Sequence, residues 1–388
     1  MEEEYLYFVP DYLKDFKCKM GACRHACCSG WQVSVPMDTY FKLLGMPCDE
    51  ALRRRLDVGL RMLDRPTPEE YAFFNPRYDG ECPMRMEDGR CIIHAQVGEE
   101  SLPDVCRLYP RGIRLEAEGY ECSLANSCEK TLELFLHRSE PLTFLSRRLP
   151  LAPPPLPGRS LHFGLEGLHR PLRLHYITLL QERRISLPHR LILLGFEIMK
   201  TEEAAKAGDH AAIGRQLSAS SSSLYREMPK EGEGDLLYGM EIMERLVDGL
   251  DRHSVSVKDA GQYALDYFRA GDLMERYGKA LARFEEHLPD WEIFFEHILV
   301  NHLFFSLFPF QDRPESFKDE YLSFCAIYAL MRFLCLGCLA GEYTEERLID
   351  LLAAAFRLID HTNFERYAGK LLRAYGCEVE DVHKLILL

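Results

Sequence analysis

No Gly-x-Gly-x-Gly run follows a candidate strand in this chain, so the turn that a Rossmann-type cofactor site needs is missing. Positive charge is also short. The 47 Lys and Arg face 61 Asp and Glu, for a net charge of −14. That excludes the basic surface on which nonspecific nucleic-acid binding depends, and leaves a basic peptide or a protein as the expected kind of partner. No Cys-x2-Cys knuckle occurs in the first 140 residues, which weighs against an ordinary zinc finger. No internal repeat stands out. The start, Met1-Glu-Glu-Glu-Tyr5, is acidic where a secretory leader carries a positive n-region and then an apolar h-region. A cytoplasmic location is expected, where thiols stay reduced and clustered cysteines more often ligate metal than pair.

Long uncharged runs are equally scarce. From Tyr321 to Ala340 the only charge is Arg332. Twenty apolar residues can span a bilayer, but Arg at the centre of a span costs roughly 2.5–3.5 kcal/mol. Ser, Cys, Gly and Ala dilute the run further. A buried helix of a bundle is expected, with no membrane partner.

What the chain does have is cysteine, unevenly placed. Ten of its 14 cysteines fall within the first 128 residues. They open as Cys18-x4-Cys23-x3-Cys27-Cys28 and continue at Cys48, Cys82, Cys91, Cys106, Cys122 and Cys128. Turn signals surround them at Asn75-Pro76, Asp79-Gly80 and Asp88-Gly89. Helical patches are expected near 36–45, 49–63 and 126–138. Residues 1–140 thus read as a small, irregular metal domain, with an ion replacing much of the core. Pro150, Pro153, Pro154, Pro155, Pro157 and Gly158 mark residues 141–160 as a semi-rigid linker. Residues 161–388 read as all-helical, with helical spacing in 172–184, 188–206, 235–250, 260–287, 291–308, 318–340, 345–359 and 364–375. Ser218 to Ser223 reads as a turn or helix end, Asp290 as an N-cap, and Pro309 and Pro314 as helix stops. The expected class is mainly α: a small cysteine-rich metal-binding domain followed by an all-α bundle of helices.

Nine cysteines are candidate metal ligands: Cys18, Cys23, Cys27, Cys28, Cys82, Cys91, Cys106, Cys122 and Cys128. Zinc and iron–sulfur clusters both take thiolates, and clusters tolerate looser spacing. Side chains of adjacent residues in extended backbone point opposite ways, so the Cys27-Cys28 doublet is hard to place on one tetrahedral ion. Nine thiols suit one cluster with spares, or two four-ligand centres with one spare. Cys82-Pro-x7-Cys91 encloses the Asp88-Gly89 turn, so both ends of a hairpin can converge on one ion. Arg107 and Arg111, beside Cys106, are candidates for offsetting the charge of a cluster. His25 is the best non-thiol ligand. Cys48 fits poorly. Cys325, Cys335 and Cys338 read as core thiols, Gly195 as plain core, and His297 and His302 as buried histidines. Glu296 either meets a substrate ammonium or caps a neighbouring helix. The run Arg53-Arg54-Arg55 reads as a solvated helix face.

These residues resemble a known family. Cys18, Cys23, Cys27-Cys28, Gly30-Trp31, Cys82-Pro83, Cys91, Cys106-Arg107-x-Tyr109-Pro110 and Cys128 look like the flagellin lysine-N-methylase (FliB) family. The cysteine-rich part is similar to YkgJ-like zinc- or iron-chelating proteins. Glu296-x3-Val300-Asn301-x-Leu303-Phe304-x3-Phe308-Pro309-Phe310 looks like the family's helical half. The resemblance implies methyl transfer to lysine side chains of a flagellin-like protein, with S-adenosylmethionine as donor. It also implies a 4Fe–4S cluster on the N-terminal cysteines. The radical spacing Cys-x3-Cys-x2-Cys is not met, because Gly30 stands where its third cysteine belongs. The alternative is a non-catalytic protein whose zinc or iron–sulfur centre is structural or carries electrons.

Overall fold

The computed structural model describes residues 3–29, 32–154, 156, 164–227, 232–250, 255–311 and 316–387. Gly30-Trp31, Pro314 and most of the proline-rich 155–163 stretch lie outside them. The chain is mainly helical and divides into two compact units. One comprises Asp15–Gly112 and Cys128–Lys130; the other comprises Met1–Lys14, Ile113–Ser127 and Thr131–Leu388.

These lines differ from a cut near residue 140, and strand pairing is the reason. The larger unit carries a four-stranded sheet in the order Arg111–Glu116, Gly119–Leu124, Tyr5–Pro10, Phe144–Leu149. Tyr5–Pro10 pairs in parallel with Gly119–Leu124, with Tyr7 opposite Tyr120. It pairs antiparallel with Phe144–Leu149, with Tyr5 opposite Leu149. The chain's first strand and the start of the expected linker therefore belong to one sheet. The helix Trp291–Phe305 is tied to that sheet by buried amides. Asn301 Nδ2 donates to the Leu124 carbonyl and to Asn126 Oδ1, both at 2.7 Å. Tyr12 Oη donates to Asn301 Oδ1. Buried polar groups of this kind hold only where every partner is present.

The helices follow the apolar spacing closely. Phe317–Leu339 is the central one, buried on all sides and packed against Phe364–Ala374, Val255–Arg269, Leu187–Ala207 and Leu273–His287. It is long and apolar enough to cross a membrane, and 94% of its most apolar window is buried inside the protein. Arg332 on it lies 4.8 Å from the Trp291 ring centroid and donates to Tyr328 Oη at 3.2 Å. Gly195 is core for a steric reason: a Cβ there would overlap the Tyr321 ring. The expected helix 260–287 is two, Val255–Arg269 and Leu273–His287, because Asp272 caps the second through the Glu275 N–H. His210–Ser218 and Ser221–Glu227 are additional helices, the first ending at Ser218, where the serine-rich segment was read as a turn or helix end. Asp290 precedes the helix Trp291–Phe305 without a side-chain cap bond. Cys325, Cys335 and Cys338 are buried in the central helix.

His302 faces two carboxylates. Its Nε2 is 2.7 Å from Glu365 Oε1 and its Nδ1 is 3.4 Å from Asp360 Oδ1. Burial opposes the imidazolium, but Asp360 and Glu365 outweigh it and raise the pKa to about 10. The unfolded value is about 6.5, so this stabilisation is complete below that pH and is lost as pH climbs through 10. The expected outcome is a urea midpoint that falls between about pH 7 and pH 10, with His302→Gln flattening the fall.

The smaller unit has an apolar core of its own. An antiparallel sheet runs Val33–Val35, Ala72–Phe74, Leu60–Met62. Helices Met37–Gly45 and Glu50–Gly59 contribute Leu43, Leu52 and Leu56 to the same buried cluster. A folded core thus stands where a domain with little core beyond an ion was expected.

Candidate functional site

The smaller unit gathers its thiols through two short bridges. Ser29 pairs with Glu81, which sets Cys28 beside Cys82. Arg85 pairs with Cys91 and closes a hairpin over Asp88-Gly89, as the turn signal implied. Gly89 has φ +84°, and a Cβ on it would overlap the backbone of Gly21. The Cys18–Cys23 loop is therefore pressed against the hairpin that carries Cys82 and Cys91. Cys91 opens the helix Ile92–Val97, and Cys106 lies in the short helix Asp104–Leu108. Cys82, Cys28, Cys91 and Cys106 all rest on the unit's apolar cluster.

Cys28 is the hub. The thiols of Cys27 and Cys82 hydrogen-bond to its sulfur. Those bonds, with Arg85 adding a positive charge, lower the Cys28 pKa well below the ordinary thiol range. Cys27 and Cys82 are pushed well above the ordinary thiol range by the same bonds. Cys106 is pushed up to about 12, first by burial and then by the charges of Cys91 and Cys28. Burial also raises Cys91, while Arg55 acts in the opposite direction. Five thiols thus share one electrostatic environment.

Two more, Cys18 and Cys128, stand around Cys23, with Glu129 beside it. Burial raises Cys23 to about 11, with Glu129, Cys128 and Cys18 adding to the shift. Glu129 Oε2 is 3.1 Å from Lys19 Nζ, and its Oε1 accepts from the His25 N–H at 2.7 Å. Cys18 and Cys27 also feel each other's charge, which links the two groups. Cys122 belongs to the larger unit, buried in the strand Gly119–Leu124 near the Tyr12 phenol. Cys48 packs against the apolar cluster.

The cations beside the thiols differ from those expected. Arg107 pairs with Asp104 at 2.8 Å, and Arg111 lies 5.3 Å from the Phe16 ring centroid. Arg85 and Arg55 are the cations that act on Cys28 and Cys91. Arg55 is not a solvated residue of its helix face. It reaches the carbonyls of Pro83 and Arg85 at 2.9 and 2.7 Å, which fixes the hairpin. The sequence held a signal for Arg85, which sits inside the Cys82–Cys91 hairpin.

By donor type the group suits a thiolate-ligated centre. Ligating thiols must lose their protons, and the contacts of Cys28 with Cys27, Cys82 and Arg85 favour that loss. Among the described residues no set of three or more His, Cys, Asp or Glu side chains closes on one point as a single ion would demand. A tetrahedral zinc holds its sulfurs roughly 3.8 Å apart, given Zn–S bonds of about 2.3 Å. A 4Fe–4S cluster also takes four thiolates, spread over a larger body.

Relatives are informative for part of the chain. It is similar to a lysine-N-methylase of Salmonella choleraesuis, 26% identical over 128 residues, covering 33% of this chain and 32% of the relative. It is similar to a lysine-N-methylase of Salmonella typhimurium at 25% identity, with the same coverage. A flagellar biosynthetic protein FliU of Salmonella muenchen is 24% identical over 128 residues, 33% of this chain and 75% of that protein. The match therefore spans about a third of the two methylases. No solved structure matches the chain. The FliB lysine N-methylase C-terminal domain matches residues 173–387, more than half of the chain, and the chain belongs to that family.

Proposed function

We propose that this chain is a cytoplasmic lysine N-methyltransferase that acts on a flagellin-like protein, with S-adenosylmethionine as methyl donor and a 4Fe–4S cluster on its cysteines. The observation that carries the reading is membership of the FliB lysine N-methylase family over residues 173–387. The flagellar name of one relative supports the choice of substrate. The thiols of Cys28, Cys82, Cys91 and Cys106, with Cys27 beside them, are the residues that would hold the cluster. When bound, S-adenosylmethionine would supply an electrophilic methyl group. Arg85 and Arg55 offset the negative charge that four thiolates and sulfides accumulate. The apolar cluster beneath the thiols shields one side of the site from water.

The test is metal and acid-labile sulfide content after anaerobic purification, followed by donor consumption with flagellin. The expected result is about four irons and four sulfides per chain, an absorbance band that air bleaches, and methyl-lysine in flagellin. One or two zincs without sulfide, and no methyl-lysine, would overturn the reading and leave a structural thiolate module.

A further inference from the structure

The helix Met37–Gly45 of the smaller unit has two apolar sides. Leu43 turns into the unit's buried cluster. Met37, Phe41 and Leu44 point away from it, at the i, i+4 and i+7 spacing that makes one stripe. They are 40%, 55% and 40% exposed. Exposed apolar residues are ordinary when single, but a contiguous stripe marks a surface that a partner covers. Aromatic rings widen the stripe into a ledge. The Phe41 ring centroid lies 5.3 Å from that of Tyr40 and 5.8 Å from that of Tyr71.

Acidic residues border the ledge on both flanks. Next to Tyr71 runs the loop that carries Glu69 and Glu70, tied to the helix start because the Met37 N–H donates to the Pro68 carbonyl at 2.9 Å. On the opposite flank Asp38 is exposed, and the Lys42 ammonium reaches the Glu100 carbonyl. That bond brings the exposed Glu99 and Glu100 beside the helix. Asp38, Asp64, Glu69, Glu70, Glu99 and Glu100 thus outnumber the cations of the same segments, Lys42 and Arg65.

Charge and shape together select the occupant. A second copy of this chain would set one acidic border against another, and like charges in contact oppose that. An anionic lipid surface meets the same repulsion. A helix with its own apolar stripe between lysines or arginines suits both features: its apolar side chains meet the ledge, and its cations meet the two acidic flanks. We infer that this face docks a basic amphipathic helix of a partner protein. The inference does not rest on the methyltransferase reading, and its failure would leave that reading intact.

The experiment measures binding of two synthetic helices to the full chain by fluorescence anisotropy. Both carry leucines in an i, i+3, i+4, i+7 stripe; one has lysines on its flanks and the other glutamates. The lysine helix is expected to bind, more weakly as salt rises, and the glutamate helix is expected not to. Phe41→Ser removes an exposed ring and leaves the core intact. It is expected to weaken binding about 10- to 100-fold, the worth of burying one such ring. Glu69→Lys with Glu70→Lys is expected to weaken it about 3- to 10-fold and to flatten the salt dependence. Leu237→Ser with Glu241→Lys, at exposed positions of the larger unit, controls for general attraction to an acidic chain and should leave binding unchanged. Equal binding of both helices, binding indifferent to Phe41→Ser, or an equal loss in the control variant would overturn the inference. Sedimentation showing a native dimer that Phe41→Ser dissociates would overturn it in favour of a second copy of the chain.

Discussion

Replacing Cys28 with serine is expected to strip the chain of iron and acid-labile sulfide and to cut methyl transfer at least about 100-fold. The size follows from its position. Cys28 is hydrogen-bonded to both Cys27 and Cys82, and its charge reaches Cys91 and Cys106. Serine keeps the shape but is a poor ligand for iron, and a partner that only tunes a ligand already costs about 10–100-fold when lost. The variant should stay folded, because the smaller unit has its own apolar core. Far-UV circular dichroism checks this. Cys122→Ser is the comparison: that thiol is buried in the larger unit's sheet. It should keep iron and activity and lose only the cost of burying a hydroxyl, about 1–3 kcal/mol. Equal iron loss in the two variants would show that this grouping of ligands is wrong.

That contrast also marks where the sequence stops being legible. Spacing placed the helical half well, because a buried helix announces itself through periodic apolar residues. Phe317–Leu339 and Trp291–Phe305 fall close to where periodicity puts them. Sheet membership was not readable, because pairing Tyr5–Pro10 with Gly119–Leu124 joins segments more than a hundred residues apart. Nothing local in Cys122 separates it from its neighbours in composition; its strand does. The Asp88-Gly89 turn and its flanking cysteines were readable, since a positive φ at Gly89 is a local requirement. Arg55 was not, because a run of three arginines does not reveal that Arg53 and Arg55 each turn to two backbone carbonyls while Arg54 stays exposed.

Glu296→Gln is expected to destabilise the larger unit by about 3–5 kcal/mol, the usual cost of leaving a buried charge without its partner. The sequence left Glu296 between a substrate contact and a helix cap; the structure gives it two arginines. Oε2 lies 2.5 Å from Arg190 Nη1, and Oε1 lies 2.9 Å from Arg183 Nη2. Glu296 and Arg190 are both almost wholly buried. Arg190 also donates to the Leu180 carbonyl at 2.6 Å, and Glu292 stands 3.4 Å away as a second, weaker partner. The amide removes the negative charge while both guanidiniums remain, and Arg190 has no route to water. Glu292 is too far to replace the lost contact in full, which sets the lower end of the range. Pairing Glu296→Gln with Arg190→Met removes the stranded cation as well and should restore much of the loss, since apolar replacement of a buried pair is often close to neutral. Urea midpoints of the two variants measure this directly. A Glu296→Gln midpoint within about 1 kcal/mol of the native chain would mean that water or Glu292 already satisfies Arg190. A double variant no better than the single one would show that the carboxylate's worth lies with Arg183 and the packing around it.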